Sequence, residues 1–285
     1  MKNDDAPFSD AIILAAGSSV RMGGPDKLRM EVGGLPLLAW TVFAAAQAAT
    51  VGRIIVVSRT DRGNALADEP WIRTVGASVV VGGARRQDSV AAGVEASDGE
   101  VVLIHDGARP LVHPALFDRV ALAAREHGAA VPVVPVPESM RRVVDGQIVG
   151  ILDKIDLYRS QTPHGARREV ILRAYACQDP RGPETFIDET ALVQSTGQLV
   201  STVPGDPANL KVCRRGEGNV RMMVETVLSM LTLVCHFKKV MHRVWRYFEM
   251  RLGWTMAAFN ILAQWHGLEP DKDGIVHLSI AEFSL

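Results

Sequence analysis

Short runs of β-branched residues return again and again along this chain, and each gives way to a stretch rich in alanine and leucine. AIILAAG (11–17) precedes LPLLAWTVFAAAQA (35–48), RIIVVS (53–58) precedes RRQDSVAAGVEA (85–96), and EVVLIHD (100–106) precedes PALFDRVALAAREHG (114–128), after which comes AAVPVVPV (129–136). Parallel strands need long return connections, usually helices that cover the faces of the sheet, so the alternation predicts an α/β fold with a mostly parallel sheet. Such sheets bind ligands beyond the carboxyl ends of their strands, which directs attention to the residues just after Leu14 and Ile104. At 285 residues the chain can hold one large domain with a smaller appendage.

From 137 to 160 the pattern breaks into short polar pieces around VVDGQIVGI, where Asp145-Gly146 has the composition of a tight hairpin turn. This stretch is expected to form a protruding arm. Beyond it, helices are expected over GARREVILRAYAC (165–177) and DETALVQSTG (188–197), with strands at LVSTVPG (199–205) and NLKV (209–212). A basic, glycine-bearing junction, CRRGEG (213–218), leads into residues 219–285, which carry six of the ten Met, three of the five Trp and four of the eight Phe at helix-like spacing. The expected organisation is therefore a domain over 1–212, the junction, and a compositionally distinct helical tail.

Charge excludes one class of partner. With 31 Lys and Arg against 32 Asp and Glu, there is no global field to attract nucleic acid or an anionic membrane, so any anion site must be local. Three cysteines without metal-ligand spacing suggest neither a disulfide framework nor a zinc site. The polar, acidic start MKNDDAPFSD and the lack of a bilayer-length apolar run point to a cytoplasmic protein. In the tail, Lys238, Lys239, Arg243, Arg246 and Arg251 interleave with Trp245 and Tyr247, a pattern that would suit phosphate contacts. Seven basic residues there are offset by six acidic ones, so a solvated face is the favoured reading and nucleic acid is not an expected partner.

Four stretches could carry chemistry. The loop AAGSSVRMGGPDK has small residues that let backbone N–H groups approach a phosphate chain, with Arg21 and Lys27 placed to neutralise it; a flexible turn with two solvated cations is the plain alternative. Neither GxGxxG nor GxxxxGK[ST] is present. In HDGARP (105–110), Asp106 ends a buried strand, where a carboxylate is costly unless it meets a cation or a metal. Magnesium bridging a phosphate chain would suit it, as would a turn cap or a pair with Arg109, and His105 is expected to be a structural neighbour. Gly82 and Gly83 of GGARRQDSV permit close backbone approach, while Asp88 or Ser89 could cap the helix that follows. Lys211 of DPANLKV would be an ordinary exposed lysine but for its company.

Taken together, AAGSSVRMGGPDK, GGARRQDSV, HDGARP, QTPHG and NLKV stand in the order and approximate spacing of the 2-C-methyl-D-erythritol 4-phosphate cytidylyltransferases of non-mevalonate isoprenoid synthesis, and residues 9–212 resemble that family. The resemblance implies a Rossmann-like nucleotidyltransferase that joins CTP to a polyol phosphate and releases pyrophosphate, working as a homodimer through the arm. It implies that Arg21 and Lys27 stabilise the transition state and that Ala15, Ala16, Gly17, Gly83 and Ser89 hold CTP. Asp106 would hold magnesium, Lys211 would position the attacking phosphate, and Ser139, Lys154 and Thr162 would complete the acceptor pocket. A cytidylyltransferase for another polyol phosphate, such as ribitol 5-phosphate, is the nearest rival, and an inactive fusion product is the rival from a different class.

The departures from the family pattern are specific. Lys154 stands where an Arg is usual, keeping the charge but giving up a bidentate grip on phosphate. His164 replaces a common Gln, and Ala84 stands where some members carry an acidic residue. After Cys213 the usual Thr-rich turn and acidic helix are missing, and residues from about 223 to 285 resemble instead the end of insertion-sequence transposases. Strand transfer by such enzymes needs three metal-holding carboxylates, of which Glu225 is at most one, so the tail alone is not expected to be a transposase.

Overall fold

The computed structural model describes residues 6–17, 26–32 and 34–212. Arg21, the junction 213–218 and the transposase-like tail lie outside the described residues. Those described fall into two compact units, one holding 6–17 and 38–211, the other 26–32, 34–37 and 212.

The larger unit is built around an eight-stranded sheet. In chain order its elements are β1 (Ser9–Leu14), α1 (Leu37–Ala46, entered from the smaller unit), β4 (Val51–Ser58), α2 (Gly63–Ala67), α3 (Pro70–Thr74), β5 (Ser78–Val81), α4 (Arg86–Glu95), β6 (Val101–Asp106), α5 (Pro114–His127), β7 (Ala129–Pro135), β8 (Met140–Val144), β9 (Gln147–Leu152), β10 (Tyr158–Ser160), β11 (His164–Arg167), α6 (Arg168–Cys177), α7 (Glu189–Ser195) and β12 (Ser201–Pro204). Strands β2 (Glu31–Val32) and β3 (Leu35–Pro36) belong to the smaller unit, where they pair antiparallel through a turn in which Gly34 has φ +80. A single 3-10 turn, Lys27–Arg29, precedes them; it is capped by Asp26, whose carboxylate accepts from Leu28 N–H at 3.2 Å.

The main sheet runs β10-β7-β11-β6-β1-β4-β5, with β12 against β7. β1 is parallel to both β4 and β6, β4 to β5, and β7 to β12, whereas β10 and β11 run antiparallel to their neighbours. The sheet is mixed and mostly parallel, as the alternation requires.

Its strands are near-continuous runs of buried apolar residues because helices cover both faces. Ile12, Ile13, Ile55, Val56, Leu103 and Ile104 are at most 1% exposed, and each such side chain contributes about 1.5–3 kcal/mol relative to exposure. The long-range register matters most at one place: Leu14 pairs with Asp106, so the loop leaving β1 and the loop leaving β6 start side by side.

Two stretches differ from expectation. The helix expected from Gly165 starts at Arg168, because residues 164–167 form β11. There Gly165 lies so close to Val120 and Ala124 of α5 that an added Cβ would sit 2.7 Å and 3.1 Å from their side chains, which lets this antiparallel strand slip between β6 and β7. NLKV is not a strand; Asn209 N–H donates to Asp206 O at 2.9 Å and Leu210 N–H to Ala208 O at 2.8 Å, and the segment runs as a turn. The hairpin turn is as expected: Asp145 (φ 49) and Gly146 (φ 78) both take the left-handed conformation that two-residue hairpins favour.

Candidate active site

The carboxyl ends of β1 and β5 assemble the first part of the site. Ala15 N–H donates to Val57 O at 2.8 Å as the chain leaves β1, and Gly82 N–H donates to Ser58 O at 2.8 Å as it leaves β5. A Cβ added to Gly82 would lie 2.5 Å from Ser89 Oγ and 2.9 Å from Ala16 Cβ, and one added to Gly83 would lie 2.3 Å from Asp88 Cβ. The structure thus packs Ala16, the glycine pair and Ser89 against one another, and only glycine fits between them. Asp88 works from the third position of α4, accepting Arg85 N–H at 2.9 Å; Ser89, 4% exposed, points at Gly83 O (3.4 Å) and Arg85 O (3.3 Å). Gly17 is exposed.

The second part is a polar cluster on Asp106, the last residue of β6. Its Oδ2 lies 2.8 Å from Lys211 Nζ and 3.5 Å from Arg109 Nε, and its Oδ1 lies 4.0 Å from Arg86 Nε, an ion pair rather than a hydrogen bond. Burial alone would raise the carboxyl's pKa, since its side chain is only 12% exposed; the Lys211 ammonium and the two guanidiniums outweigh that and hold it far below the usual carboxylate range. Arg86 in turn pairs with Glu189 Oε1, and Glu189 Oε2 meets His164 Nδ1 at 3.0 Å. Burial opposes ionisation of Glu189 as well, yet the bond from His164 and the charge of Arg86 bring its pKa down to about 2.

A buried frame fixes these groups. Thr162, 4% exposed, accepts Asp106 N–H on its hydroxyl at 3.2 Å and shares that oxygen with His105 Nδ1 at 3.0 Å. His105 is fully buried against Phe117, and desolvation drops its pKa to about 3, so it stays neutral as a packed neighbour of the cluster. The Gln161 amide clamps the loop that carries Lys211, donating to Asp206 O at 2.8 Å and accepting Asp206 N–H at 3.0 Å. Asn209 Nδ2 donates to Thr162 O at 2.7 Å, and Arg109 donates to Asn209 O at 2.7 Å. Lys211, expected on a strand, is instead aimed at Asp106 by this turn, with its side chain 40% exposed.

The remaining sequence-derived candidates belong to other elements. Lys27 opens the 3-10 turn of the smaller unit, and its ammonium donates to Val212 O at 2.7 Å. Ser139 and Lys154 are exposed on the arm, flanking β8 and β9. Arg86 and Glu189 were not singled out by the sequence; the signal that could have found them was an arginine in the turn after a glycine pair and a carboxylate opening a short helix. Among the described residues no three His, Cys, Asp or Glu side chains come together as a metal cage. Asp106 as a lone buried carboxylate fits the habit of magnesium with nucleotides, which takes one or two protein carboxylates and draws its other ligands from phosphate and water.

Comparison with known proteins is consistent across sequence and structure. The family model described as IspD: 2-C-methyl-D-erythritol 4-phosphate cytidylyltransferase matches residues 10–218. A 2-C-methyl-D-erythritol 4-phosphate cytidylyltransferase of Cereibacter sphaeroides is 39% identical over 212 residues, 73% of this chain and 92% of that protein. A bifunctional enzyme IspD/IspF of Anaeromyxobacter dehalogenans is 37% identical over 206 residues; the match takes 70% of this chain and 53% of that protein, so this chain spans about half the length of such relatives. Among solved structures, the 2-C-methyl-D-erythritol 4-phosphate cytidylyltransferase of Thermus thermophilus matches with a TM-score of 0.59 and 32% identity, covering 71% of this chain and 91% of that one. The 4-diphosphocytidyl-2C-methyl-D-erythritol synthase of Anaerococcus prevotii matches with a TM-score of 0.63 and 27% identity, over 73% and 93%.

Proposed function

This chain belongs to the 2-C-methyl-D-erythritol 4-phosphate cytidylyltransferase family, and from that premise we propose that it transfers the cytidylyl group of CTP to 2-C-methyl-D-erythritol 4-phosphate. A phosphate oxygen of the acceptor attacks the α-phosphorus of CTP, the bond to the β-phosphate breaks, and pyrophosphate leaves with that electron pair. The acceptor phosphate is itself the nucleophile, so the chain need supply no strong base; positioning and charge neutralisation carry the rate.

The observation that carries this reading is the Asp106–Lys211 pair at the carboxyl end of β6, beside the glycine-lined turn of β5 and α4. Ala15, Ala16, Gly17, Gly83 and Ser89 form the nucleotide cradle, and Lys211, mobile on its stem, serves the acceptor phosphate. Asp106 is the residue that would hold magnesium, which when bound neutralises phosphate charge. Arg21 and Lys27 are assigned to the α-phosphate from the sequence motif, and Ser139, Lys154 and Thr162 to the acceptor pocket, Thr162 acting from behind through Asp106 N–H. A homodimer is the proposed assembly, supported by the apolar side chains that the arm leaves exposed, among them Ile148 at 65% and Ile151 at 71%. Among the described residues no helix is long and apolar enough to cross a membrane, and a cytoplasmic location is proposed.

Pyrophosphate release from CTP, magnesium and 2-C-methyl-D-erythritol 4-phosphate tests the reading. Turnover that prefers ribitol 5-phosphate overturns the choice of acceptor. Lys27→Ala is expected to lower turnover about a hundredfold with little change in melting temperature; equal loss of both would make Lys27 structural.

A further inference from the structure

Glu189 presents a puzzle that the reading above leaves untouched. It is a carboxylate 8% exposed at the first position of α7, with both oxygens committed: Oε1 to Arg86 on α4 and Oε2 to His164 on β11. Buried ion pairs of this kind are poor sources of stability, because desolvation offsets most of the attraction and a well-packed apolar pair would serve as well. What such a pair does supply is direction. Arg86, 36% exposed, is the one member whose other side reaches a residue of the proposed site, with its Nε 4.0 Å from Asp106 Oδ1.

Asp106 is held from two sides. Lys211 and Arg109 approach Oδ2, and Arg86 approaches Oδ1. Lys211 has a second claim on it, the acceptor phosphate, and each engagement with that phosphate loosens its hold on Asp106. Arg86 answers to Glu189 instead, a partner supplied by the chain itself and committed on its other oxygen to His164. His164 completes the series: its Nδ1 orients Glu189 while its other nitrogen lies 3.4 Å from Ser160 Oγ at the foot of the arm.

We propose that Arg86, Glu189 and His164 are positioning residues, a relay from β11 through α7 and α4 that keeps Asp106 aimed while Lys211 turns to the acceptor. The inference rests on the cytidylyltransferase reading. A relay acts on the reacting arrangement rather than on substrate capture, so its loss falls on kcat. This chain runs the relay with a histidine at 164, where the sequence pattern has glutamine more often; either residue can donate one hydrogen bond to Glu189, and an aliphatic residue cannot.

The test uses the full chain with CTP, magnesium and 2-C-methyl-D-erythritol 4-phosphate, measuring kcat and both KM values, CTP affinity by calorimetry, and melting temperature. Glu189→Gln and Arg86→Gln are each expected to lower kcat about tenfold to a hundredfold, with both KM values and CTP affinity held within about threefold. The double variant should lose no more than the worse single, since the two residues act in series. His164→Leu should follow the same pattern, and His164→Gln should recover most of that loss. Should Glu189→Gln melt below the assay temperature, the His164 pair carries the same decision. Losses that disappear when each variant is assayed well below its own melting temperature, or that add in the double variant, make the group merely structural and overturn the relay. An active parent chain with indifferent variants overturns the relay alone. A folded parent chain that binds neither substrate overturns the reading beneath it, and the relay with it.

Discussion

Around Asp106 the side chains are polar and covered; along the arm they are apolar and bare. The Asp106 and Glu189 side chains are 12% and 8% exposed, yet three cations and a histidine meet their oxygens. On β8 and β9, Val143, Val144, Ile148, Val149 and Ile151 are all more than half exposed, and among the described residues the two strands pair only with each other. A two-stranded ribbon is marginal in water by itself, and bare apolar surface of this extent marks a contact with something else. The cluster draws its order from its own chain, through partners at long sequence separation; on the proposed homodimer, the arm would draw its order from the partner.

The sharpest way to break that contrast is at Asp106. Asp106→Asn keeps the shape and leaves Lys211, Arg109 and Arg86 facing one another without their shared carboxylate. Turnover is expected to fall about a hundredfold to a thousandfold, and stability by about 1–3 kcal/mol, less than for a fully buried pair because Lys211 is well exposed. Kinetics and thermal melting read both; unchanged turnover would detach Asp106 from the chemistry. The arm is probed next, by Val149→Asp with Ile151→Asp, two positions on the same side of β9. The expected outcome is a halved mass in light scattering with unaltered circular dichroism, since no strand of the main sheet pairs with the hairpin. A parent chain that is already monomeric at every concentration would leave the bare arm without the partner proposed for it.

The same contrast explains how much could be read from the sequence. The strands, the β1 loop, HDGARP and the arm turn are local: alternation, small residues after a strand and Asp145-Gly146 declare themselves within ten residues. The cluster's outer members do not. Arg86 and Glu189 meet across 103 positions, and nothing in RRQDSV or DETALV says that α4 and α7 will touch. β11 was hidden because four residues are too few to set a period, and the AR that closes it runs straight into α6. NLKV has the composition of a strand, yet the Asn209 side chain and Arg109 fasten it to Thr162 as a turn, a preference visible only once β6 and β11 are neighbours.

Acid offers the finest cut between the two regions. Glu189 has its pKa lowered from 4.5 to about 2 in the fold. A group of lowered pKa binds its proton more weakly folded than unfolded, so it contributes stability fully above pH 4.5 and loses that contribution as pH falls towards 2. Glu189→Gln removes the contribution at every pH. The melting temperature of the parent chain should therefore exceed that of Glu189→Gln by a constant amount, on the order of 5 °C, from about pH 7 to 5. The gap should then close between pH 4.5 and 2, as the parent's carboxylate takes up the proton that Gln never needed. An arm carrying Val149→Ser with Ile151→Ser should show no such closing gap against the parent, because neither the native nor the substituted side chains titrate in this range and the cluster is intact in both. A gap of unchanged size from about pH 7 down to 2 would mean that Glu189 is not held ionised by Arg86 and His164, and that the covered region draws its order from packing alone.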